Sequence, residues 1–428
     1  MSAPLRLGIA GLGTVGVGVV RIVKTHAELL EARCGRPVEI TAVSARDRSK
    51  DRGVGLTGYA WCDDPVDLAV HEDIDVFVEV MGGSEGPAKQ ATEAALAAGK
   101  DVVTANKALL AIHGQALAEK AEAAGRVIRF EAAVAAGIPV IKALTEGLAA
   151  NQVTRVMGVM NGTCNYILTR MEKAGLTYDE AFAEADGLGY VEADPTLDIG
   201  GIDAGHKLAL LAAIAFGTQP NFDGITLDGI DKVSIDDIRQ AADMGFCIKL
   251  LGVAQRTARG LEQRMTPCLV PATSPLGQLE GGTNMVVIEG DAVEQVVLRG
   301  PGAGEGPTAS AVMGDVCDLA RGFRLPTFGQ PATSLEPAPA APTSLPAPYY
   351  LRMRLQDRPG ALAQIATILG TSGISINRMR QYSHSEPEAP VLIVTHKTTS
   401  DALTEALAAM EDTEVVASSP VALRIEEV

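Results

Sequence analysis

The chain has 428 residues, of which 47% are hydrophobic and 21% are charged, and this length corresponds to about three globular domains. Its formal net charge of -17 disfavours a broad nucleic-acid-binding surface, because such surfaces depend on clustered lysines and arginines. The longest apolar run, residues 208–216, is too short for a membrane span, and the scattered cysteines indicate neither a zinc site nor a disulfide framework. We therefore expect a cytoplasmic protein that binds neither nucleic acid nor membranes.

Short strand-like runs alternate with alanine-rich helical stretches in the first 134 residues. Strands are predicted at 5–10, 38–43, 74–80, 101–104 and 127–130, and helices at 87–98 and 114–124. This alternation predicts an α/β domain of the Rossmann type, in which helices cover both faces of a doubly wound parallel sheet.

A glycine motif follows the first predicted strand. Gly11, Gly13 and Gly16 form the pattern G-x-G-x-x-G, with Thr14 and Val15 inside it. Glycines at these positions permit a tight turn, close approach of a pyrophosphate to the backbone, and close packing of the following helix. Because the motif lies between a strand and a helix, it indicates dinucleotide binding more strongly than a structural turn.

Charges after the second strand bear on the choice of cofactor. The stretch VSARDRSK places Arg46, Arg48 and Lys50 around Asp47. Arginines there favour the extra phosphate of NADP, whereas an acid favours the ribose hydroxyls of NAD. The pattern leans toward NADP and leaves NAD open, and the alternative is that these are solvated loop charges.

Further strand ends are expected on the same rim, because ligands of open parallel sheets bind beyond the carboxyl ends of the strands. The loops concerned are 81–83, 104–107 and 131–137. Lys107 follows Thr104 at the end of a buried strand, so its ammonium is expected to point into the cofactor crevice. The alternative is an ordinary surface cation.

Residues 135–299 follow a less regular pattern, typical of an α+β domain. Helices are predicted near 138–148, 177–185, 203–216 and 235–244, followed by a strand-rich part from 253 to 297.

Asp203 and Lys207 stand one turn apart at the head of an apolar helix, after a glycine-rich acidic stretch that begins at Glu184. We interpret the acids as holders of a substrate ammonium and Lys207 as a cation or proton donor for a carbonyl oxygen. A solvated acidic loop and a plain ion pair are the alternatives, and the spacing of a calcium loop is missing.

Two features mark the last part of the chain. Residues 331–348 hold six of the 23 prolines and predict a semi-rigid extended linker. Residues 349–428 predict the order βαββαβ, the ferredoxin-like arrangement.

Several long motifs resemble those of homoserine dehydrogenases, and the resemblance runs through the whole chain. The matching stretches are GLGTVG at 11–16, TANK at 104–107, FEAAVAAGIPVI at 130–141, MNGTCNYIL at 160–168, GYVEADPTLDIGGIDAGHKLALLA at 189–212 and GPGAGEGPTASAVMGD at 300–315. It implies a Rossmann domain over 1–134 with a return segment at 300–325, and a substrate and dimerisation domain over 135–299. Residues 357–381 resemble an ACT module, which implies a regulatory domain over 349–428.

The resemblance implies reversible NAD(P)-dependent reduction of L-aspartate 4-semialdehyde to L-homoserine, in threonine, methionine and isoleucine biosynthesis. Lys207 would donate the proton and Asp203 would be its partner and a substrate contact. Lys107 would lie near nicotinamide and substrate. The remaining implied substrate contacts are Gly189, Glu192 and Asp198, and Gly304 would contact the cofactor.

Three further partners are implied by resemblance alone. A monovalent cation, usually sodium, would bind at Glu131, Val134, Ala136 and Ile138, largely through backbone oxygens. An amino-acid effector, by analogy threonine, would bind near Asp357 and Gly360 in the ACT module, although such a module can also serve only to dimerise. A homo-oligomer, dimer or tetramer, is expected. Competing hypotheses are another NAD(P)-dependent amino-acid semialdehyde oxidoreductase and a non-catalytic amino-acid sensor.

Overall fold

The structure is a computed structural model that describes residues 3–191, 194–341, 344–381 and 387–427. Its N-terminal part consists of β1 (Leu5–Ala10), α1 (Thr14–Thr25), α2 (Ala27–Cys34), β2 (Val38–Ser44), β3 (Ala60–Cys62), α3 (Pro65–Ala69), β4 (Val76–Glu79), α4 (Pro87–Ala97), β5 (Asp101–Thr104), α5 (Lys107–Ala123) and β6 (Ile128–Arg129). Among the described residues no helix has the length and apolar character that crossing a membrane requires.

The middle part begins with a 3-10 turn at Glu131–Ala133 and contains α6 (Val140–Lys142), a π-helical turn (Ala143–Gly147), β7 (Val153–Val159), α7 (Gly162–Ala174), α8 (Tyr178–Gly187), α9 (Pro195–Ile199), α10 (Ile202–Phe216), β8 (Thr226–Leu227), α11 (Ile235–Asp243), β9 (Phe246–Thr257), β10 (Gly260–Pro271), β11 (Thr283–Gly290), β12 (Glu294–Pro301) and α12 (Glu305–Ala320). The C-terminal part contains β13 (Tyr349–Gln356), α13 (Ala361–Thr371), β14 (Ile376–Gln381), β15 (Glu388–Thr395), α14 (Ser400–Glu411) and β16 (Val416–Ile425).

The first sheet is parallel and doubly wound, which confirms the predicted Rossmann-type fold. Within the described ranges its strands run in the order β3-β2-β1-β4-β5-β6, and every pair is parallel. Strands β4 and β5 are buried along their whole length, as expected where helices cover both faces of a sheet. Helix α12 returns to this domain and packs closely on α1, since a methyl group at Gly18 would lie 2.9 Å from Cβ of Ala309.

The middle domain wraps helices around an antiparallel sheet. Strands β12, β11, β7, β9 and β10 follow one another across it. Helix α10 packs on this sheet at Gly252, where a side chain would meet Met160, Met265 and Leu208. The helix predicted at 138–148 is observed as a three-residue turn, α6, followed by a π-helical turn, and the Glu131 carboxylate caps its start by accepting the Ile141 and Lys142 backbone N–H groups.

The C-terminal domain has the predicted ferredoxin-like order β13-α13-β14-β15-α14-β16. Its sheet is not separate from that of the middle domain. Strand β16 pairs in parallel with β10, with Cys268 opposite Arg424 and Leu269 opposite Ile425, so that the two domains share one continuous sheet. The sequence pattern did not predict this junction.

The proline-rich segment lies along the middle domain and is not a free spacer. Over its described residues it forms a 3-10 turn at Ala332–Ser334 and then runs extended, with backbone hydrogen bonds to Gln219 and Leu261. Leu335 and Ala338 are buried. Prolines restrict the segment, and its apolar side chains hold it in place.

A buried cluster of charges reinforces the shared sheet. The carboxylate of Glu426, just after β16, accepts hydrogen bonds from Arg155 on β7, Arg264 on β10 and Arg424 on β16. Glu262 pairs with Arg264 at 3.1 Å. Glu426 and Arg264 side chains are each 5% exposed, so each charge depends on the others for compensation.

We therefore expect Glu426→Ala to destabilise the protein by about 3–5 kcal/mol, because it leaves buried arginines without their carboxylate. Glu427→Ala is the matched control: Glu427 pairs with Lys397 at the surface, where the side chains are 59% and 71% exposed, and should cost less than about 1 kcal/mol. Urea denaturation measures both. Equal, small losses would show that the cluster is not what stabilises the junction.

Candidate active site

A cleft of about 1080 Å³ separates the carboxyl ends of the first sheet from the middle domain. It is the kind of large concave site where dinucleotides and small substrates bind. Residues from both domains line it, including Thr14, Val15, Lys107, Asp203, Lys207 and Gly304.

The glycine motif fits a dinucleotide. Gly11 has a φ of +100°, and a side chain there would lie 2.7 Å from the Val80 carbonyl oxygen. A side chain on Gly16 would lie 2.0 Å from the Gly11 oxygen, whereas one on Gly13 would meet nothing within 4 Å. The turn is therefore close-packed at Gly11 and Gly16 and open above Gly13, at the start of α1, where a pyrophosphate would bind.

The charges after β2 are exposed and lie outside the lining of the cleft. Arg46 is one of these, and the Asp47 carboxylate accepts from the backbone and hydroxyl of Ser49 within its own turn. Sequence analysis did not single out Arg52, whose guanidinium donates to the Leu12 carbonyl at 3.0 Å and lies over the Trp61 ring. Arg52 thus ties this basic loop to the glycine turn.

Thr104 supports the cleft from within its wall. Its hydroxyl donates to Glu79 at 2.6 Å and accepts from the Asn106 backbone, and its side chain is fully buried. Asn106 caps α5 by accepting from Leu109. These bonds fix the first residue of α5, Lys107, at the edge of the cleft.

One carboxylate binds both predicted lysines. Asp203 Oδ2 lies 2.7 Å from Lys207 Nζ, and Asp203 Oδ1 lies 3.0 Å from Lys107 Nζ. Lys207 also donates to the Met160 carbonyl at 2.8 Å. The helical spacing predicted the first pair, but Lys107 comes from the other domain and no local pattern indicates that it shares the same acid.

The two ammonium groups keep Asp203 ionised. Burial opposes ionisation, but the charges of Lys207 and Lys107 outweigh it and hold the pKa of Asp203 below its usual value. Asp203 lies in the first turn of α10, where the helix dipole also favours a negative charge. The arrangement places two cations around one fixed anion at the cleft wall.

Helix α10 is held rigidly at this end. Gly201, in the left-handed conformation with a φ of +78°, precedes it and packs against Met265 of β10. His206 stacks on Phe222 with ring centroids 4.2 Å apart, and burial lowers the pKa of its imidazole. His206 is thus a neutral packing residue. The next residue, Lys207, lies on the buried face of α10 and lines the site.

Residues of the acidic stretch also line the cleft, and α9, which carries Asp198, packs against α10. Asp198, 4% exposed, accepts from the side chain of Asn161 at 2.8 Å, and Gly189 lies in the cleft wall. Thr163 donates to the Tyr190 carbonyl at 2.8 Å. Asn161 and Thr163 belong to the quoted NGT stretch but received no role from sequence. The predicted substrate residue Glu192 lies outside the described residues.

The Glu131 side chain is fully engaged in structure. Its carboxylate accepts from Ile141 and Lys142, and its own N–H donates to Asp315 at 2.8 Å. Burial, and then the neighbouring Asp315, raise the pKa of Glu131 to about 7. Within the described residues no group of three or more acidic, histidine or cysteine side chains could hold a metal ion.

The backbone beside Glu131 is unusual. Ala135 and Ala136 have positive φ angles of 54° and 35°, a conformation that disfavours residues with a side chain. Such a turn redirects the carbonyl groups of the loop that contains Val134, Ala136 and Ile138. Any cation held here would depend on these carbonyls rather than on the Glu131 carboxylate.

A second cavity, of about 290 Å³, lies in the C-terminal domain. Asp357 and Gly360 line it, together with Gln381 of β14 and Arg358. Gly360 precedes α13 with a φ of +90°, and the Ala361 N–H at the helix start donates to the Arg358 carbonyl at 3.2 Å. The cavity is lined by the opposite charges of Asp357 and Arg358, which suits an amino acid.

Comparisons with known proteins agree across the chain. Residues 11–131 match the family model of the homoserine dehydrogenase NAD binding domain, residues 139–317 that of homoserine dehydrogenase, and residues 349–414 that of the ACT domain. The homoserine dehydrogenases of Pseudomonas aeruginosa and Neisseria gonorrhoeae are each 41% identical, and each alignment covers 99% of this chain and 99% of the relative.

Solved structures give the same result. A homoserine dehydrogenase from Thiobacillus denitrificans superposes with a TM-score of 0.94 at 40% identity, covering 99% of this chain and 98% of that chain. A hyperthermophilic archaeal homoserine dehydrogenase in complex with NADPH gives a TM-score of 0.65 at 26% identity, covering 75% of this chain and 99% of that chain.

The charge of Asp203 predicts how stability varies with pH. Its folded-state pKa lies below the unfolded value of about 3.9, so its ionised form stabilises the fold fully above the unfolded pKa, and this stabilisation is lost progressively as the pH falls from there through the lower folded-state pKa. Asp203→Asn should therefore cost about 2 kcal/mol near pH 7, and the cost should begin to fall only below about pH 4 and decrease further toward pH 2. Asp47→Asn, at an exposed acid whose pKa is lowered mainly by bonds within its own turn, should show a much smaller change. Denaturation across this pH range is the measurement, and a constant cost for Asp203→Asn would contradict the assignment.

Proposed function

The chain belongs to the homoserine dehydrogenase family, as its motifs predicted, and on that premise we propose that it catalyses the reversible NAD(P)-dependent reduction of L-aspartate 4-semialdehyde to L-homoserine. It is an NAD(P)-dependent oxidoreductase with an ACT module. The observation that carries the proposed chemistry is the Asp203 carboxylate, bonded to Lys107 and Lys207 at the wall of the cleft.

Lys207 is the proposed proton donor. Two acceptors, Asp203 and Met160, engage its ammonium, which leaves one N–H for the substrate oxygen. When bound, the dinucleotide supplies the hydride to the carbonyl carbon, so negative charge develops on that oxygen. Lys207 donates a proton to it or stabilises it, and Lys107 adds a second positive charge nearby.

The acidic loop is the proposed site for the amino-acid end of the substrate. Asp198 is oriented by Asn161, and Gly189 exposes backbone to the cleft. Glu192, on the same loop, is proposed to bind the substrate ammonium. If the ammonium and carboxylate groups of the substrate bind here, its aldehyde group lies next to Lys207.

NADP is the proposed preferred cofactor, with NAD accepted more weakly. Arg46, Arg48 and Lys50 lie exposed near the end of β2, and Asp47 is turned toward Ser49. The basic groups are thus available to a ribose phosphate, while the acid is engaged elsewhere. The NADPH complex of an archaeal relative is consistent with this choice.

A monovalent cation, sodium, is proposed in the loop after β6. Its ligands would be backbone carbonyls of Glu131, Val134, Ala136 and Ile138. The positive φ angles at Ala135 and Ala136 support a loop shaped to gather carbonyls. This cation would brace the wall of the cleft rather than contact the reacting atoms.

Threonine is the proposed effector and the ACT cavity its site. Asp357 would bind the ammonium, and the N–H groups at the start of α13 would bind the carboxylate. Feedback by threonine would place the enzyme in the synthesis of threonine, methionine and isoleucine. We also propose that it acts as a homo-oligomer.

Cofactor reduction with homoserine, followed at about 340 nm, tests the reaction, and Lys207→Ala tests its centre. The variant should lose about 10²- to 10⁴-fold in kcat while its cofactor Kd changes little, because Lys207 serves the reacting oxygen. Lys232→Ala is the matched control, since Lys232 also pairs with an acid four residues away, Asp228 at 3.2 Å, but at the surface. Normal turnover in Lys207→Ala would remove Lys207 from the chemistry.

Effector binding is tested with Asp357→Ala, because removing the whole module would strand the arginines that Glu426 neutralises. The variant should need at least about tenfold more threonine for half-inhibition, since a charged hydrogen bond is lost, and should keep its uninhibited kcat. Asp401→Ala, at the start of the other ACT helix, is the control. Unchanged inhibition of Asp357→Ala by threonine would refute the site.

A further inference from the structure

Asn284 is a buried amide at the cleft that the reaction scheme above does not use. It lies near the start of β11, opposite Gly300 on β12, and its residue is 1% exposed. Among the described residues neither its Oδ1 nor its Nδ2 has a hydrogen-bond partner. Asn284 nevertheless lines the same cleft as Lys107 and Asp203.

Such an amide is energetically unfavourable as it stands. A buried donor or acceptor without a partner has lost its hydration with no hydrogen bond in return, and in Asn284 both the donor Nδ2 and the acceptor Oδ1 are unpaired among the described residues. Buried polar groups are nearly always paired, so exceptions call for a partner that arrives later. An apolar side chain of similar shape would fill this position without that cost.

The glycine loop 300–304 covers the amide. A methyl group at Gly302 would lie 2.1 Å from Asn284 Cγ, so the Cα of Gly302 rests directly on the amide plane. The loop is bonded to the turn after β6, where the Gly137 N–H donates to the Pro301 carbonyl at 3.0 Å. Glycines at 300, 302 and 304 give it few side chains that could obstruct a small shift.

The location of Asn284 in the fold indicates which half of the dinucleotide it would contact. In a sheet of order β3-β2-β1-β4-β5-β6, the adenosine lies toward β2 and the nicotinamide lies toward β4, β5 and β6. The contact between Pro301 and Gly137 puts Asn284 on the β6 side of the cleft, which Lys107 also lines. The nicotinamide is therefore the part of the dinucleotide nearest to Asn284.

We propose that Asn284 is a positioning residue that binds the carboxamide of the nicotinamide, once the 300–304 loop shifts to admit it. This rests on the proposed function of the cleft as a cofactor site. A primary carboxamide has one acceptor and one donor pair in a plane, the complement of the Asn284 amide. The substrate ends differ, since an ammonium only donates and a carboxylate only accepts. The amide pair would fix which face of the ring meets the substrate.

A double-mutant cycle, in which one change is made in the protein and the other in the cofactor, tests the pairing through binding and does not rely on turnover. The oxidised cofactor is compared with its 3-acetylpyridine analogue, which keeps the ring carbonyl but has a methyl group in place of the amide nitrogen. Calorimetry on the wild type should show about tenfold weaker binding of the analogue, because Oδ1 loses its donor. In Asn284→Ala the natural cofactor should bind more weakly and the preference should fall to within about twofold.

Asn284→Leu tests the same idea through stability. If the amide waits unpaired for the cofactor, a similar apolar side chain should raise the Tm of the free protein and weaken cofactor binding. If the amide instead stabilises the cofactor-free protein, the Tm of Asn284→Leu should fall, which would overturn the proposal. Asn151→Ala is the control, because Asn151 also has an unpartnered Oδ1 among the described residues but packs near Gly290, at the far end of β11.

The cofactor site and the role of Asn284 can be refuted separately. If the wild type binds neither NADP nor NAD, the cofactor site itself is wrong. If it binds the cofactor but Asn284→Ala keeps the wild-type preference over the acetylpyridine analogue, only the role of Asn284 is wrong. A loss of preference in Asn284→Ala, with none in Asn151→Ala, supports the pairing.

Discussion

The carboxylate of Asp203 is the constraint on which the site depends. It bonds Lys207 on its own helix and Lys107 on the first turn of α5, so a single buried anion joins the substrate domain to the cofactor domain. Two ammonium groups at one acid would repel each other without it, and the acid would be costly to bury without them. The pair Lys107 and Asp203 is therefore one contact that holds the two domains together at the cleft.

A second buried carboxylate surrounded by cations lies where β16 joins β10 of the middle sheet. Glu426 gathers arginines from β7, β10 and β16, much as Asp203 gathers lysines. Helix α10 packs against β10, where Met265, the residue after Arg264, contacts Gly201 just before that helix. The ACT module is therefore mechanically continuous with the helix that carries Lys207, so an effector need not act through a flexible tether.

How much the sequence predicted follows from the range of each interaction. The glycine turn, the pair Asp203 and Lys207, and the βαββαβ order depend on neighbours in the chain, and their periodicity and spacing were sufficient. The pair Lys107 and Asp203, the pairing of β10 with β16, and the cover of Gly302 over Asn284 join distant segments, for which no local pattern exists. Short β3 and the π-helical turn after α6 were missed, since β3 depends on pairing with β2 and no local pattern indicates the π-helical turn.

Joining β16 to β10 also sets an order of events during synthesis. Arg264 and Glu426 are separated by 162 residues, which a ribosome adds in roughly 8 to 30 seconds. Until then part of the edge of β10 offers unpaired backbone groups, and Arg264 has Glu262 beside it but lacks the Glu426 carboxylate. The middle sheet is thus incomplete through the final part of translation.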